Sequence, residues 1–366
     1  MSKTVYIHLG TGKTGTTALQ GFFLKNRNTL IKRNILIPLT GMNPVEGSHH
    51  PLAFSLTGPK LTSELYKNPL KIDYYKDQLS KEVSLHKECD ILLTSEIFPA
   101  CREELMKFIQ QLFPDYHIVL IIYLRRQDSL VEANYIQAVK QGEETRPIEQ
   151  YLKETPQWNY LSFLDSCVEI CKPRSFIVRA YEKKQFYKHN ILADFLYYTW
   201  KMDLDEEFYI PDKYANPRLC RDALEFKLLI NKLEVPFAVK QSIVHALLEY
   251  SQKVDDSTTK PFCSQELLNT KMKLEIVNRF EKEYEKIAIK YLDRNDARLF
   301  YDSLPEPLAQ KQIYKGLQPD ISLAILKTVL KHTQGISYSN QDNIINTAIA
   351  NGLANFILSN SATNEF

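Results

Sequence analysis

The chain has 366 residues, 44% of them apolar and 25% charged, a balance ordinary for a soluble globular protein with a sizeable core. Forty-six basic side chains stand against 44 acidic ones, so the net charge is only +2. That near-neutrality excludes a global attraction to nucleic acid or membrane surfaces, and it makes any anion site a local one.

The first strand-like run begins at about Thr4 and leaves no room for a signal peptide. No apolar run approaches the roughly 18 residues of a membrane span. The nearest, Ile118–Leu124, has the length of a strand. Six cysteines are scattered, and Cys167 and Cys171 lie one helical turn apart, a spacing that reads as idle or buried thiols in a reducing compartment. A cytoplasmic location is expected.

Five short segments carry the β-branched and aliphatic enrichment of buried parallel strands: Val5–Leu9, Ile35–Pro38, Ile91–Ser95, Ile118–Leu124 and Phe176–Arg179. Helical patterns alternate with them at Thr16–Asn26, Glu103–Phe113, Asp128–Lys140 and Ser162–Ile170. The alternation predicts an α/β fold, with a mainly parallel central sheet flanked by helices. After Pro217 the chain turns helical, with amphipathic patterns over Arg218–Leu233, Phe237–Lys253 and Gln265–Leu292, then Ser322–Leu330 and Ile344–Ile357. Residues 1–304 therefore read as one α/β domain, helical from about 217, and 305–366 as a helical C-terminal extension. No internal repeat or low-complexity tract interrupts this order.

Ligands of parallel sheets bind beyond the carboxyl ends of the strands, which directs attention to the loops after Leu9, Ser95 and Leu124. The first contains Gly10-Thr11-Gly12-Lys13-Thr14-Gly15-Thr16-Thr17 at a strand–helix junction. Glycines let backbone N–H groups approach an anion, a helix start adds unpaired donors, and Lys13 adds a mobile cation. Gly12-Lys13-Thr14 would end a Walker-type loop, but the first glycine of that pattern would fall at Ile7, inside a strand.

With these residues assembled, the sequence resembles the sulfotransferase superfamily, particularly its bacterial members. The likeness runs through Lys13-Thr14-Gly15-Thr16-Thr17, Ala18-Leu19-Gln20, Asn34-Ile35-Leu36-Ile37-Pro38, Thr94-Ser95-Glu96 and Tyr123-Leu124-Arg125-Arg126-Gln127-Asp128. Weaker echoes are Val178-Arg179-Ala180-Tyr181-Glu182, Asp194-Phe195-Leu196, Asn216 and Tyr291…Leu299-Phe300, so that about residues 4 to 304 are covered.

The resemblance implies a donor, 3′-phosphoadenosine 5′-phosphosulfate, and transfer of its sulfuryl group to a hydroxyl or amine without a metal. Lys13 would contact the phosphosulfate, with Gly12, Thr14, Gly15, Thr16 and Thr17 completing the cradle of the 5′-phosphate, and Arg125 would hold the 3′-phosphate. The serine that relatives place eight residues after that arginine is Ala133 here, and Ser129, one helical turn earlier, is the expected substitute.

A general base would complete the site. Glu96 is favoured by its place after the third strand, with His49 and His50 as competitors. A small molecule, a glycan or a glycolipid is the expected acceptor, and rings such as Phe54, Tyr74, Tyr75, Tyr135, Trp158 and Tyr160 could line its site or fill the core. The alternatives are an ATP- and magnesium-dependent kinase with a degenerate loop, and a catalytically silent relative that binds a partner.

Overall fold

The structure, a computed structural model, describes residues 3–58, 70–210, 219–233, 237–256, 267–303, 314 and 316–333. In chain order the elements are β1 (Thr4–Leu9), α1 (Thr16–Lys25), α2 (Arg27–Lys32), β2 (Ile35–Leu36), α3 (His50–Thr57), α4 (Ile72–Ser84), β3 (Asp90–Ser95), α5 (Arg102–Leu112), β4 (His117–Leu124), α6 (Gln127–Gln141), α7 (Ile148–Glu154), α8 (Tyr160–Cys171), β5 (Ser175–Ala180) and α9 (Ile191–Trp200). Four helices follow: α10 (Arg221–Asn231), α11 (Phe237–Asp256), α12 (Thr270–Leu292) and α13 (Pro319–Thr333). The expected helix over Ile344–Ile357, the residues Arg218, Gln265 and Asn216, and most of the expected extension lie outside the described residues.

The five strands form one all-parallel sheet in the order β2-β3-β1-β4-β5. An α/β fold with flanking helices and helices toward the C-terminus is thus observed. β1 lies between β3 and β4, with Ile7 opposite Leu93 on one side and Leu120 on the other. From β1 the chain moves outward to β2, whereas from β4 it moves outward the other way to β5. The connections therefore diverge at the β1–β4 boundary, the position at the carboxyl ends of the strands where ligands of such sheets bind.

The chain divides into two compact units. The first comprises Met1–Gln127, Trp158–Tyr214 and Val277–Ser303, and the second Asp128–Gln157, Ala215–Ile276 and Leu304–Phe366. In the first unit, successive strand residues point to opposite faces of the sheet. Tyr6 and His8 of β1 meet Trp200 and Phe195, with ring centroids 5.8 and 5.5 Å apart. One core gathers Leu19, Phe22 and Phe23 of α1, Ile121 and Tyr123 of β4, and Phe195 and Leu196 of α9. The apolar positions of α1 recur at helical spacing, so a single face of that helix is buried.

A polar network joins β5 to α9 beneath this core. Arg179 holds Asp194 by two bonds, Nη2 to Oδ1 at 2.7 Å and Nε to Oδ2 at 3.0 Å, and the Tyr123 hydroxyl donates to Oδ2 at 2.9 Å. The Tyr187 N–H supplies a fourth donor at 2.7 Å, so the fully buried carboxylate is well satisfied.

In the second unit, α10, α11 and α13 pack on one another. Asn231 Nδ2 donates to the carbonyls of Val139 and Glu144, at 2.9 and 2.8 Å, which ties α10 to the end of α6. Among the described residues no helix is long and apolar enough to cross a membrane.

Candidate functional site

The loop between β1 and α1 is built from internal bonds. Gly10 N–H reaches the carbonyl of Ser95 at 3.1 Å, which joins the ends of β1 and β3. Thr11 Oγ1 donates to the Tyr123 carbonyl of β4, and Thr14 Oγ1 donates to the Thr11 carbonyl. Both threonines are buried, so their hydroxyls shape the loop. Lys13 and Gly15 take left-handed backbone angles, with φ 66° and 77°. For lysine that conformation costs about 1 kcal/mol. A Cβ on Gly15 would also stand 3.2 Å from Tyr181 Cε2, so glycine suits that position on two counts.

The loop leads directly into α1. Its first intrahelical bond runs from Leu19 N–H to the Gly15 carbonyl at 3.1 Å, no side chain caps it, and no acid lies in its first turn. Thr16, Thr17 and Ala18 thus sit where a helix presents its unpaired N–H groups and the positive end of its dipole. Gly12 and Thr17 are exposed and Lys13 and Gly15 half-buried, whereas Thr16 is buried and hydrogen-bonds Glu96.

Arg125 follows β4 immediately. Its Nη1 donates to the Lys13 carbonyl at 2.9 Å, and the guanidinium carbon lies 5.8 Å from the centre of the Tyr181 ring. The backbone is held from behind, where the Tyr160 hydroxyl donates to the Arg125 carbonyl at 2.7 Å. Neighbouring Arg126 turns instead to the Asp302 carbonyl, at 2.8 Å. The sheet therefore brings two cations from opposite ends of the sequence stretch, Lys13 and Arg125, to one loop. Ser129 lies in the first turn of α6 and belongs to the second unit.

Glu96 follows β3 immediately. The helix after it, α5, has Cys101 at its N-cap and no side-chain cap, so Glu96 is spent elsewhere. Gln20 Nε2 donates to Glu96 Oε2 at 2.9 Å, and His50 Nε2 stands 3.3 Å from the same oxygen. Burial pushes this carboxyl up, but the hydrogen bonds from Thr16 and Gln20, together with the His50 charge, hold it below the ordinary carboxylate range.

His49 and His50 take different parts. His49 is fully buried; its Nε2 donates to the Pro38 carbonyl at 3.0 Å and its Nδ1 accepts the Thr94 N–H at 3.2 Å. Burial pushes it down to about 4, so it is a neutral strut with both nitrogens engaged. His50, the first residue of α3, faces Glu96 on one side and Ser95 Oγ, at 2.7 Å, on the other. The approach of this segment depends on Gly47, where a Cβ would come within 2.4 Å of the Gln20 carbonyl. His8 is also fully buried and pushed down to about 4 by burial, with Nδ1 bonded to Thr94 Oγ1 at 2.9 Å.

Four contributors were not singled out as site residues in the sequence: Gln20 and Ser95, which hold Glu96 and His50, and Tyr160 and Tyr181, which frame Arg125. A sequence signal existed for the first two, since Gln20 and Ser95 fall within motifs that carry the family likeness. Tyr181 falls within one of the weaker echoes of that likeness, whereas Tyr160 carries no such signal. Of the other rings considered for an acceptor, Phe54, Tyr75, Tyr135 and Tyr160 are buried, and Tyr74 is exposed.

The fold and this loop define the protein as an α/β parallel-sheet protein with a glycine-rich, lysine-bearing turn at its first strand. No protein-family model matches the chain, and no solved structure matches it. It is similar to an uncharacterized protein of Archaeoglobus fulgidus, 28% identical over 175 residues, which is 47% of this chain and 45% of that protein. The chain spans less than half the length of that relative.

Proposed function

We propose that the protein is a sulfotransferase that uses 3′-phosphoadenosine 5′-phosphosulfate. The observation that carries this reading is the bond from Arg125 Nη1 to the Lys13 carbonyl, which places a planar guanidinium beside a helix-start anion loop. Two phosphates at opposite ends of a nucleotide need two such positive centres, and guanidinium suits the terminal phosphate because its fork can bond it twice.

In this reading the N–H groups at the start of α1 hold the 5′-phosphate and Lys13 neutralises the charge that develops on it. Arg125 exchanges its bond to the Lys13 carbonyl for the 3′-phosphate. Glu96 takes the proton of the acceptor hydroxyl as the acceptor oxygen bonds to sulfur. The bond from sulfur to the bridging phosphate oxygen breaks in the same in-line displacement, and its electron pair leaves with the nucleotide. Lys13 and Arg125 supply the charge that these steps call for, so no metal ion enters the scheme. The acceptor class, a small molecule or a glycan, follows from the family likeness alone.

Binding of adenosine 3′,5′-bisphosphate, measured without magnesium, tests the reading. At about a hundred times its dissociation constant it should stabilise the protein by roughly 2.7 kcal/mol in a melting experiment. Arg125→Ala should weaken the bisphosphate far more than adenosine 5′-monophosphate. Stabilisation only by ATP with magnesium would turn the reading into a kinase, and no stabilisation by either would leave a silent binding protein.

A further inference from the structure

The residues around Glu96 form a directed run of polar contacts, one hydrogen bond and one charge-pair approach, and the direction can be worked out from what each atom is able to donate. Ser95 Oγ is fully buried and accepts the Ile97 N–H at 3.1 Å. Its other polar neighbour is His50 Nδ1, at 2.7 Å. On the far side of the ring, His50 Nε2 lies 3.3 Å from Glu96 Oε2. An ionised carboxylate only accepts, so the ring proton of a neutral His50 sits on Nε2. Nδ1 is then an acceptor, and Ser95 must be its donor. Ser95 Oγ–H donates to His50 Nδ1, and the His50 Nε2–H then faces Glu96 at the 3.3 Å of a charge-pair approach.

We infer that Ser95 is a positioning residue that fixes the ring of His50, so that its Nε2–H faces Glu96 and Glu96 alone is left to accept the substrate proton. In the neutral ring both nitrogens are occupied, which removes His50 from competition as the base. Among Ser95, His50 and Glu96, only the carboxylate is a pure acceptor. Gln20 Nε2, 2.9 Å from the same Oε2, fixes it from a second direction. The backbone sets the device: the Ile97 N–H fixes the serine oxygen, and the histidine begins a helix whose entry is packed against α1. The kinetic consequence rests on the transferase reading above, whereas the direction of the hydrogen bonds does not.

Two measurements on the full chain separate these. Long-range ¹H–¹⁵N spectra of ring-labelled protein near pH 7.5, assigned against His50→Gln, should show His50 as the Nε2–H tautomer, with Nδ1 displaced by an accepted hydrogen bond. That displacement should vanish in Ser95→Ala and return in Ser95→Thr, which restores the hydroxyl. A wild-type His50 protonated on Nδ1, or a Ser95→Ala spectrum identical to wild type, would overturn the inference. In the transfer assay Ser95→Ala should lower kcat on the order of tenfold, the scale of one hydrogen bond, with the Kd for adenosine 3′,5′-bisphosphate unchanged and kcat recovered by Ser95→Thr. An equal loss in both serine variants would make Ser95 merely structural. A wild-type chain that transfers no sulfuryl group would overturn the reaction reading, while the spectra would still decide the positioning role.

Discussion

At Lys13 the backbone adopts an angle that L-residues rarely occupy, and a neighbouring element stabilises it: the carbonyl exposed by the turn is where Arg125 binds. A nucleotide phosphate that drew Arg125 away would therefore loosen the loop as it filled it. Glu96 is the other residue whose state the surroundings decide. Because burial is outweighed by the hydrogen bonds from Thr16 and Gln20 and by the His50 charge, the carboxyl is held below its ordinary value of 4.5. In the proposed role of base it would be active above that depressed pKa, so the acid limb of kcat/KM should fall below pH 4.5. Glu96→Gln, which keeps the shape and removes the base, should lower kcat by about 10²–10⁴-fold while leaving bisphosphate binding intact. Unchanged turnover in that variant would remove Glu96 from the chemistry.

At the scale of elements, the strands were legible because both faces of a parallel sheet are buried and its strands read as continuous apolar runs. All five expected segments are strands in the structure, although Ile37 and Pro38 fall outside β2. The helices with clear amphipathic spacing, such as α1, α5 and α8, were equally visible. α2, α3, α4, α7 and α9 escaped, α4 even though its buried Tyr75, Leu79 and Val83 recur at helical spacing. α3 opens with His50-Pro51, and α9 is so apolar that it shows no polar stripe to mark its period. α9 is held by the ion pair of Asp194 with Arg179 of β5, two residues 15 apart that no periodicity connects. Asp194→Asn should destabilise the first unit by about 3–5 kcal/mol in urea denaturation, because it leaves the buried guanidinium without its counter-charge. A loss of less than about 1 kcal/mol would show the pair to be dispensable, as replaceable buried pairs are.

For the molecule as a whole, the buried histidines set a pH response. His8 and His49 are neutral in the folded chain down to about 4, whereas in the unfolded chain they protonate near 6.5. The unfolded state therefore binds more protons between those values, and stability falls as pH drops from about 6.5 to about 4. Glu144, in the second unit, is held down to about 2 by Arg146, so its contribution is present above about 4.5 and is lost between there and about 2. Denaturation midpoints should thus decline in two stages. His49→Asn should be less stable at neutral pH, yet show a shallower decline over the first stage; an unaltered slope would assign that stage to other groups.

The division of labour between sequence and fold follows from range. Local pattern was enough for the parallel strands and the helix that follows the first loop. These depend on steric rules and periodicities that act within a few residues. The partners of the site residues were a different matter. Arg125 meets Lys13 across 112 positions, Gln20 meets Glu96 across 76, and Ser95 meets His50 across 45. So the sequence favoured Glu96 over His49 and His50 only by its place after the third strand, and tertiary structure made one histidine a strut and the other a neighbour of the carboxylate. Strand order places those side chains within hydrogen-bonding distance of one another, and burial then decides which of them carry charge.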